Sequence, residues 1–374
     1  MPLPITPPVI TQFFEAILAK LLMYTGSNNR DGGEGKGIEA WRVDSETGAA
    51  EQLAVITGID NPSYVKVSPD GTLLAAVEEV GGWNEGNAVL YTIDPATGAL
   101  TYLNKQATRG SITCHFNFSP DGKFGAIANY STLAAGTPPD CGTAVYPVSV
   151  SGLGPVSGEA VHSGSGPNPQ RQERSHAHCA LWSPDGRHLF VADLGLDGVM
   201  TYGFDNGKIT FKRKAQVPPG SGPRHLVFHP NGKFFYAVNE LISSLSSFAY
   251  DAESGDLTLL HTETSLPAGT TITSYCSALK ITPDGQHLYA GNRGHNSIAR
   301  FTIGDDGIAR FADTTSTEGD WPRDFDIDKS GKVLAVGNQN SHDIRLFRIG
   351  PDGTLTRFGE PIPSGGVTAI AFVN

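Results

Sequence analysis

A short turn that recurs about every fifty residues constrains this chain more than any other feature. It reads Ser68-Pro69-Asp70-Gly71, Ser119-Pro120-Asp121-Gly122, Ser183-Pro184-Asp185-Gly186, His229-Pro230-Asn231-Gly232, Thr282-Pro283-Asp284-Gly285 and, degenerate, Asp328-Lys329-Ser330-Gly331. Pro presets one φ, Asp or Asn bonds its own backbone, and Gly accepts a positive φ, so each copy is the tip of a tight hairpin. A second turn alternates with it, after strands such as Leu90-Tyr91-Thr92-Ile93-Asp94, Phe248-Ala249-Tyr250-Asp251 and Phe347-Arg348-Ile349, each followed by a Gly. Several short strands per period is the size of a four-stranded propeller blade.

The first turn has six copies and the second seven, counting a weak one at Val145-Tyr146-Pro147-Val148. The chain ends reconcile them. Leu21 to Gly26 looks like the strand after a first turn, and Val367 to Phe372 like the strand before one. The predicted architecture is all-β: a seven-bladed propeller over 21–374, closed by pairing the two terminal strands, which removes the open edges of a linear array. The stretch 1–20 is an extension, expected to form an extra helix on the barrel.

The bulk properties bound the partners. Among 374 residues, 45 Gly and 25 Pro suit a turn-rich fold, and a formal net charge of −11 argues against nonspecific binding to nucleic acid or an anionic membrane. A local Arg cluster could still reverse the field in one cleft. Cys114, Cys141, Cys179 and Cys276 form no CxxC pair, so free buried thiols are expected rather than a zinc site. No stretch approaches a membrane span, the N-terminus is a poor signal peptide, and the cytoplasm follows by default.

Equivalent residues in successive blades lie around one ring. Eight before each turn Gly stand Ser63, Cys114, His178, Arg224, Ser277 and Arg323. Seven after stand Glu78, Asn129, Asp193, Asn239, Asn292 and Asn338, and eight after Glu79, Tyr130, Leu194, Glu240, Arg293 and Gln339. The two arms of a hairpin are level at equal distance from its turn, so these residues are expected on the face opposite the Pro-Asp-Gly turns, near the central channel. Strands ending in solvent explain the Asn and Ser. They explain His178, Arg224, Glu240 and Arg293 less well, because mixed charges around a concave channel are what a small-anion site needs. His176-Ala177-His178 lacks a third metal ligand, Gly164-Ser165-Gly166 lacks the Lys of a phosphate loop, and no cofactor motif is visible.

The repeats resemble the lactonase family of seven-bladed propellers, which includes bacterial 6-phosphogluconolactonases and fungal carboxy-cis,cis-muconate lactonising enzymes. The resemblance runs from Leu21 to Asn374. Its most specific segments are Gly166-Pro167-Asn168-Pro169 with Arg171-Gln172-Glu173, His176-Ala177-His178, Gly222-Pro223-Arg224-His225, Asn239-Glu240 and Asn292-Arg293-Gly294-His295. It implies a functional set of His178, Arg224, Glu240 and Arg293, the residues the register already placed together. Arg323 shares their ring, and His176, His225, Asn239, Asn292 and His295 flank them as expected substrate contacts.

The expected activity is hydrolysis of a sugar-type lactone such as 6-phosphogluconolactone, with a small anionic lactone or carboxylate as substrate and neither metal nor cofactor. Glu240 or His178 would be the base and the other the acid, with Arg224 and Arg293 holding the anion. A lactone-forming carboxymuconate cycloisomerase is the enzymatic alternative. A non-catalytic binding propeller would instead show an exposed apolar patch, and a calcium-dependent propeller would use Glu78, Asp193 and the Asn ring.

Overall fold

The fold was obtained as a computed structural model, which describes residues 20–30, 32–131 and 140–373. The helix expected over 1–20 lies outside the described residues, except that Lys20 opens the first strand. Seven antiparallel sheets follow one another around an axis. Their innermost strands are Val65–Val67, Thr113–Phe118, Ala177–Trp182, Pro223–Phe228, Tyr275–Ile281, Pro322–Ile327 and Val367–Phe372. Each packs beside the next to close a ring.

The hairpin tips form as their chemistry requires. Ser68 Oγ donates to Asp70 Oδ1 at 2.6 Å, Gly71 N donates to Ser68 O at 2.9 Å, and Gly71 takes φ 75°. Closure is the split hairpin. Met23 pairs with Phe372 and Gly26 with Ala369 in an antiparallel ladder, so the first blade draws its inner strand from the C-terminus.

The core is repeated rather than central. Each gap between neighbouring blades holds one apolar cluster, such as Tyr236, Leu279, Leu288 and Phe301 between the fifth and sixth blades. Polar ties reinforce these gaps: Tyr236 Oη donates to Gly307 O at 3.0 Å. Gly307 has φ 73°, and a Cβ there would meet the Phe234 ring at 2.1 Å, so only Gly permits this approach.

The third blade departs from four regular strands. Its outer position is filled by two fragments, Gly152–Leu153 and Gly158–Ala160, both paired with Thr143–Ser149. Pro155 stands between them and has no N–H for the ladder, so a continuous strand fails there. All four cysteines are free and buried. Among the described residues no helix is long and apolar enough to cross a membrane.

Candidate active site

The inner strands carry the site because they are bulged. The ladder slips by one residue between Thr113 and His115, Ala177 and Cys179, Pro223 and His225, and Pro322 and Asp324. The extra residues are Cys114, His178, Arg224 and Arg323. A fifth slip, between Cys276 and Leu279, brackets Ser277. A bulged residue has no partner across the ladder and its side chain is re-aimed, a common device beside functional sites. Two residues before four of the ring positions the backbone turns left-handed, at Asn61 (φ 42°), Ile112 (φ 53°), Gly222 (φ 62°) and Trp321 (φ 64°). Gly222 adopts this freely. Ile112 and Trp321 do so at a cost of about 1–3 kcal/mol each, which the surrounding ring must impose.

Glu240 is the hub. Its Oε2 lies 2.9 Å from an Arg293 Nη and 3.0 Å from Arg224 Nε. The Arg224 approach is a charge contact rather than an aligned hydrogen bond, since Nε finds no acceptor in line with its N–H. Oε1 accepts from Arg171 at 2.6 Å. Burial alone would raise the Glu240 carboxyl, but the guanidiniums of Arg293, Arg224 and Arg171 outweigh it and hold it well below the usual carboxylate range. The buried arginines are also tied to backbone: Arg224 donates to Ser277 O at 2.8 Å and Arg293 to Cys276 O at 2.9 Å. Burial draws Arg293 down to about 10 in spite of Glu240, so it remains a cation at neutral pH.

His178 stands beside this cluster. Its ring meets Tyr130 edge-on at 5.8 Å and His225 at 5.7 Å, and His225 Nε2 is 3.1 Å from Arg224. Burial, with Arg224 nearby, holds its imidazole neutral well below the ordinary His range. Nδ1 lies 3.8 Å from Cys114 Sγ. Burial keeps that thiol protonated, and it has carbonyls of its own to donate to, including His178 O at 3.6 Å. A proton on Nδ1, directed at sulfur, satisfies both groups. In that tautomer the lone pair is on Nε2, which has no hydrogen-bond partner among the described residues.

Thus His178, Arg224, Glu240 and Arg293 are brought together, with His225 against Arg224. Arg323 is at the edge of the group, 3.9 Å from Glu79. Other expected substrate contacts are placed differently. Asn239 is fully buried and donates to Ser244 and Ser246 of its own blade at 2.9 and 3.0 Å. Asn292 is likewise buried and donates to Ser265 O at 2.9 Å. These contacts tie Asn239 to the next strand of its own blade and Asn292 to the segment that follows the last strand of the fifth blade. His176 is also engaged, with Nδ1 on Tyr130 O at 2.8 Å and Nε2 on Glu173 at 3.0 Å. His295 faces Ser297 Oγ at 2.8 Å.

Three residues were not singled out from sequence. Arg171 lay in a quoted segment without a role, Tyr130 stood in the counted register, and Trp321, whose ring lies 5.6 Å from the Arg293 guanidinium, carried no signal. Glu78 and Asp193, the acids of the calcium reading, are engaged by Lys105 at 3.1 Å and by His162 at 2.6 Å. A cavity of about 600 Å3 lies elsewhere, between the third and fourth blades, walled by Val161, Met200, Ile209 and Phe211. Glu159, His162 and Lys214 also line it, but it holds no carboxylate shared by several guanidiniums as at Glu240.

Known proteins were compared with this chain. The model of the family "Lactonase, 7-bladed beta-propeller" matches residues 22–372. A 6-phosphogluconolactonase of Bacillus subtilis is 34% identical over 343 residues, covering 91% of this chain and 94% of the relative. One from Formosa agariphila is 34% identical, over 87% of this chain and 92% of the relative. Among solved structures, the periplasmic gluconolactonase of Pseudomonas aeruginosa superposes with a TM-score of 0.85 at 31% identity, covering 95% of this chain and 99% of that one. On these matches, and on its seven blades, the chain belongs to the lactonase family of seven-bladed β-propellers.

Proposed function

We propose that this protein is a lactonase that hydrolyses a sugar-type lactone at the mouth of its central channel, with His178 as the base. The observation that carries the reading is a buried, neutral imidazole beside two buried guanidiniums that share one carboxylate. The likeness to named lactonases supports the substrate class.

Hydrolysis adds water to the lactone carbonyl through a tetrahedral oxyanion. His178 Nε2 takes a proton from water as its oxygen bonds to the carbonyl carbon. Arg224 and Arg293 meet the negative charge that develops, in a site too dry for water to screen it. The ring C–O bond then breaks, and the imidazolium returns its proton to the leaving alkoxide. The hydroxy acid formed ionises in water. Glu240 takes no part in proton transfer, because three guanidiniums stabilise its charged form. It is the counter-ion that permits two arginines to be buried, and it fixes their directions.

The test is lactone turnover followed by pH-stat on sugar lactones, phosphorylated and not, with carboxymuconate cycloisomerisation assayed in parallel. Turnover of a sugar lactone that His178→Ala abolishes supports the reading. Cycloisomerisation without lactone hydrolysis overturns it.

A further inference from the structure

Three guanidiniums share one carboxylate, Glu240, and the three arginines are not alike. Arg224 and Arg293 are buried, with side chains 4% and 8% exposed, on inner positions of the fifth and sixth blades. Arg171 is 35% exposed and comes from the long loop of the third repeat. It reaches Glu240 and, at 3.3 Å, Tyr130 Oη with the same Nη2. Its Nε and Nη1 make no hydrogen bond to the described residues. Each two-donor edge of a guanidinium includes Nη2, so a side-by-side contact with a carboxylate or phosphate opens when Nη2 leaves Glu240.

The loop is built to present this side chain. Gln172, fully buried, donates from Nε2 to Leu194 O at 2.9 Å and to Asp197 Oδ1 at 2.7 Å. Its Oε1 accepts from Asn168 N at 3.1 Å, and its carbonyl accepts from Gly166 N at 2.8 Å. Asp197 in turn accepts from Gly222 N at 2.8 Å, two residues before Arg224. One carboxylate thus sets the loop of Arg171 and the strand of Arg224 in register.

We propose that Arg171 is the residue through which the site recognises the anionic group of its substrate, exchanging its contact with Glu240 for that group. This rests on the lactonase reading and deepens it. Glu240 keeps Arg224 and Arg293 when Arg171 turns away, so the exchange strands no buried charge. The ligand class is a lactone bearing a phosphate or carboxylate remote from the ring carbonyl. A neutral lactone leaves Arg171 on Glu240 and forgoes the contact.

The experiment compares wild type, Arg171→Ala and Gln172→Ala on 6-phosphogluconolactone and on gluconolactone, with inorganic phosphate as inhibitor. The ratio of kcat/KM for the phosphorylated over the neutral lactone is expected to fall about tenfold or more in Arg171→Ala, mainly through KM, the size of a lost charge-assisted hydrogen bond. Inhibition by phosphate should weaken by a similar factor, and Gln172→Ala should move both in the same direction. Equal losses on the two lactones would make Arg171 a mere support for Glu240 and overturn the proposal, as would a wild type indifferent to the phosphate. If wild type hydrolyses no lactone, the lactonase reading fails by itself. Phosphate binding by calorimetry to wild type and Arg171→Ala then still decides the role of Arg171: binding lost in the variant supports it, and equal or absent binding overturns it.

Discussion

Replacing Glu240 with Gln separates a counter-ion from a base in one experiment. Gln keeps the shape and one acceptor but removes the charge that Arg224, Arg293 and Arg171 share. Breaking a buried ion pair from one side costs about 3–5 kcal/mol. Here the loss should lie near the lower end, because Arg224 and Arg293 keep their backbone acceptors at Ser277 and Cys276. Urea unfolding at neutral pH should therefore show the variant about 3 kcal/mol less stable.

The pH dependence of that gap checks its origin. The carboxyl is depressed in the folded state, so its stabilisation is complete above the unfolded-state pKa of about 4.3 and fades as pH falls below it towards the folded value. Gln does not titrate. The difference between wild type and variant should be level above about pH 5 and narrow on acidification. A gap under about 1 kcal/mol, or one indifferent to pH, would refute a buried, ionised hub. Turnover in the variant should fall by about 10²-fold, because the oxyanion donors lose their alignment. The acid limb of its pH profile should survive, since that limb belongs to His178. A variant whose acid limb has vanished would make Glu240 the base.

Further outcomes can be measured on the same lactone. His178→Ala should lose about 10²-fold or more in kcat, the usual size of a proton-transfer role, with circular dichroism checking that the propeller survives the missing ring. The wild-type log kcat/KM profile should stay flat down through pH 6.5 and bend only below it, because burial lowers the His178 pKa and the base works only when neutral; a bend at or above 6.5 contradicts this environment. Arg293→Lys keeps the charge but removes the planar fork, and is expected to raise KM and lower kcat together, whereas an unchanged kcat would place Arg293 in ground-state binding alone.

Where local chemistry decides, the sequence was transparent. A Ser-Pro-Asp-Gly tetrapeptide carries its own donors, acceptor and positive φ, so its hairpin is fixed without reference to the rest of the chain. Counting such turns led to the ring and to the join of Gly26 with Ala369. Contacts between distant blades leave no such trace. Arg171 and Glu240 are 69 residues apart, and nothing in either segment states that one reaches the other. Pro155 did carry a local signal, a missing N–H, for the broken outer strand of the third blade.

The site register brings some residues together and sets others apart for one physical reason. Counting from the turns locates a strand end but not the direction of a side chain. On the inner strands the eighth residue before Gly is the bulged one, so the count reached Cys114, His178, Arg224 and Arg323 where the ladder lets go of them. On the second strands the alternation of a regular ladder separates neighbours: Glu240 and Arg293 stand one residue beyond Asn239 and Asn292, and point elsewhere. Asn239 closes hydrogen bonds inside its blade and Asn292 holds the segment that leads in from the fifth blade, while Glu240 is left to join three arginines. A one-residue step therefore divides the groups that tie strands and loops from the groups that meet at Glu240. Substitutions at Asn239 or Asn292 should then be read first in unfolding, and those at Glu240 or Arg293 in both unfolding and turnover.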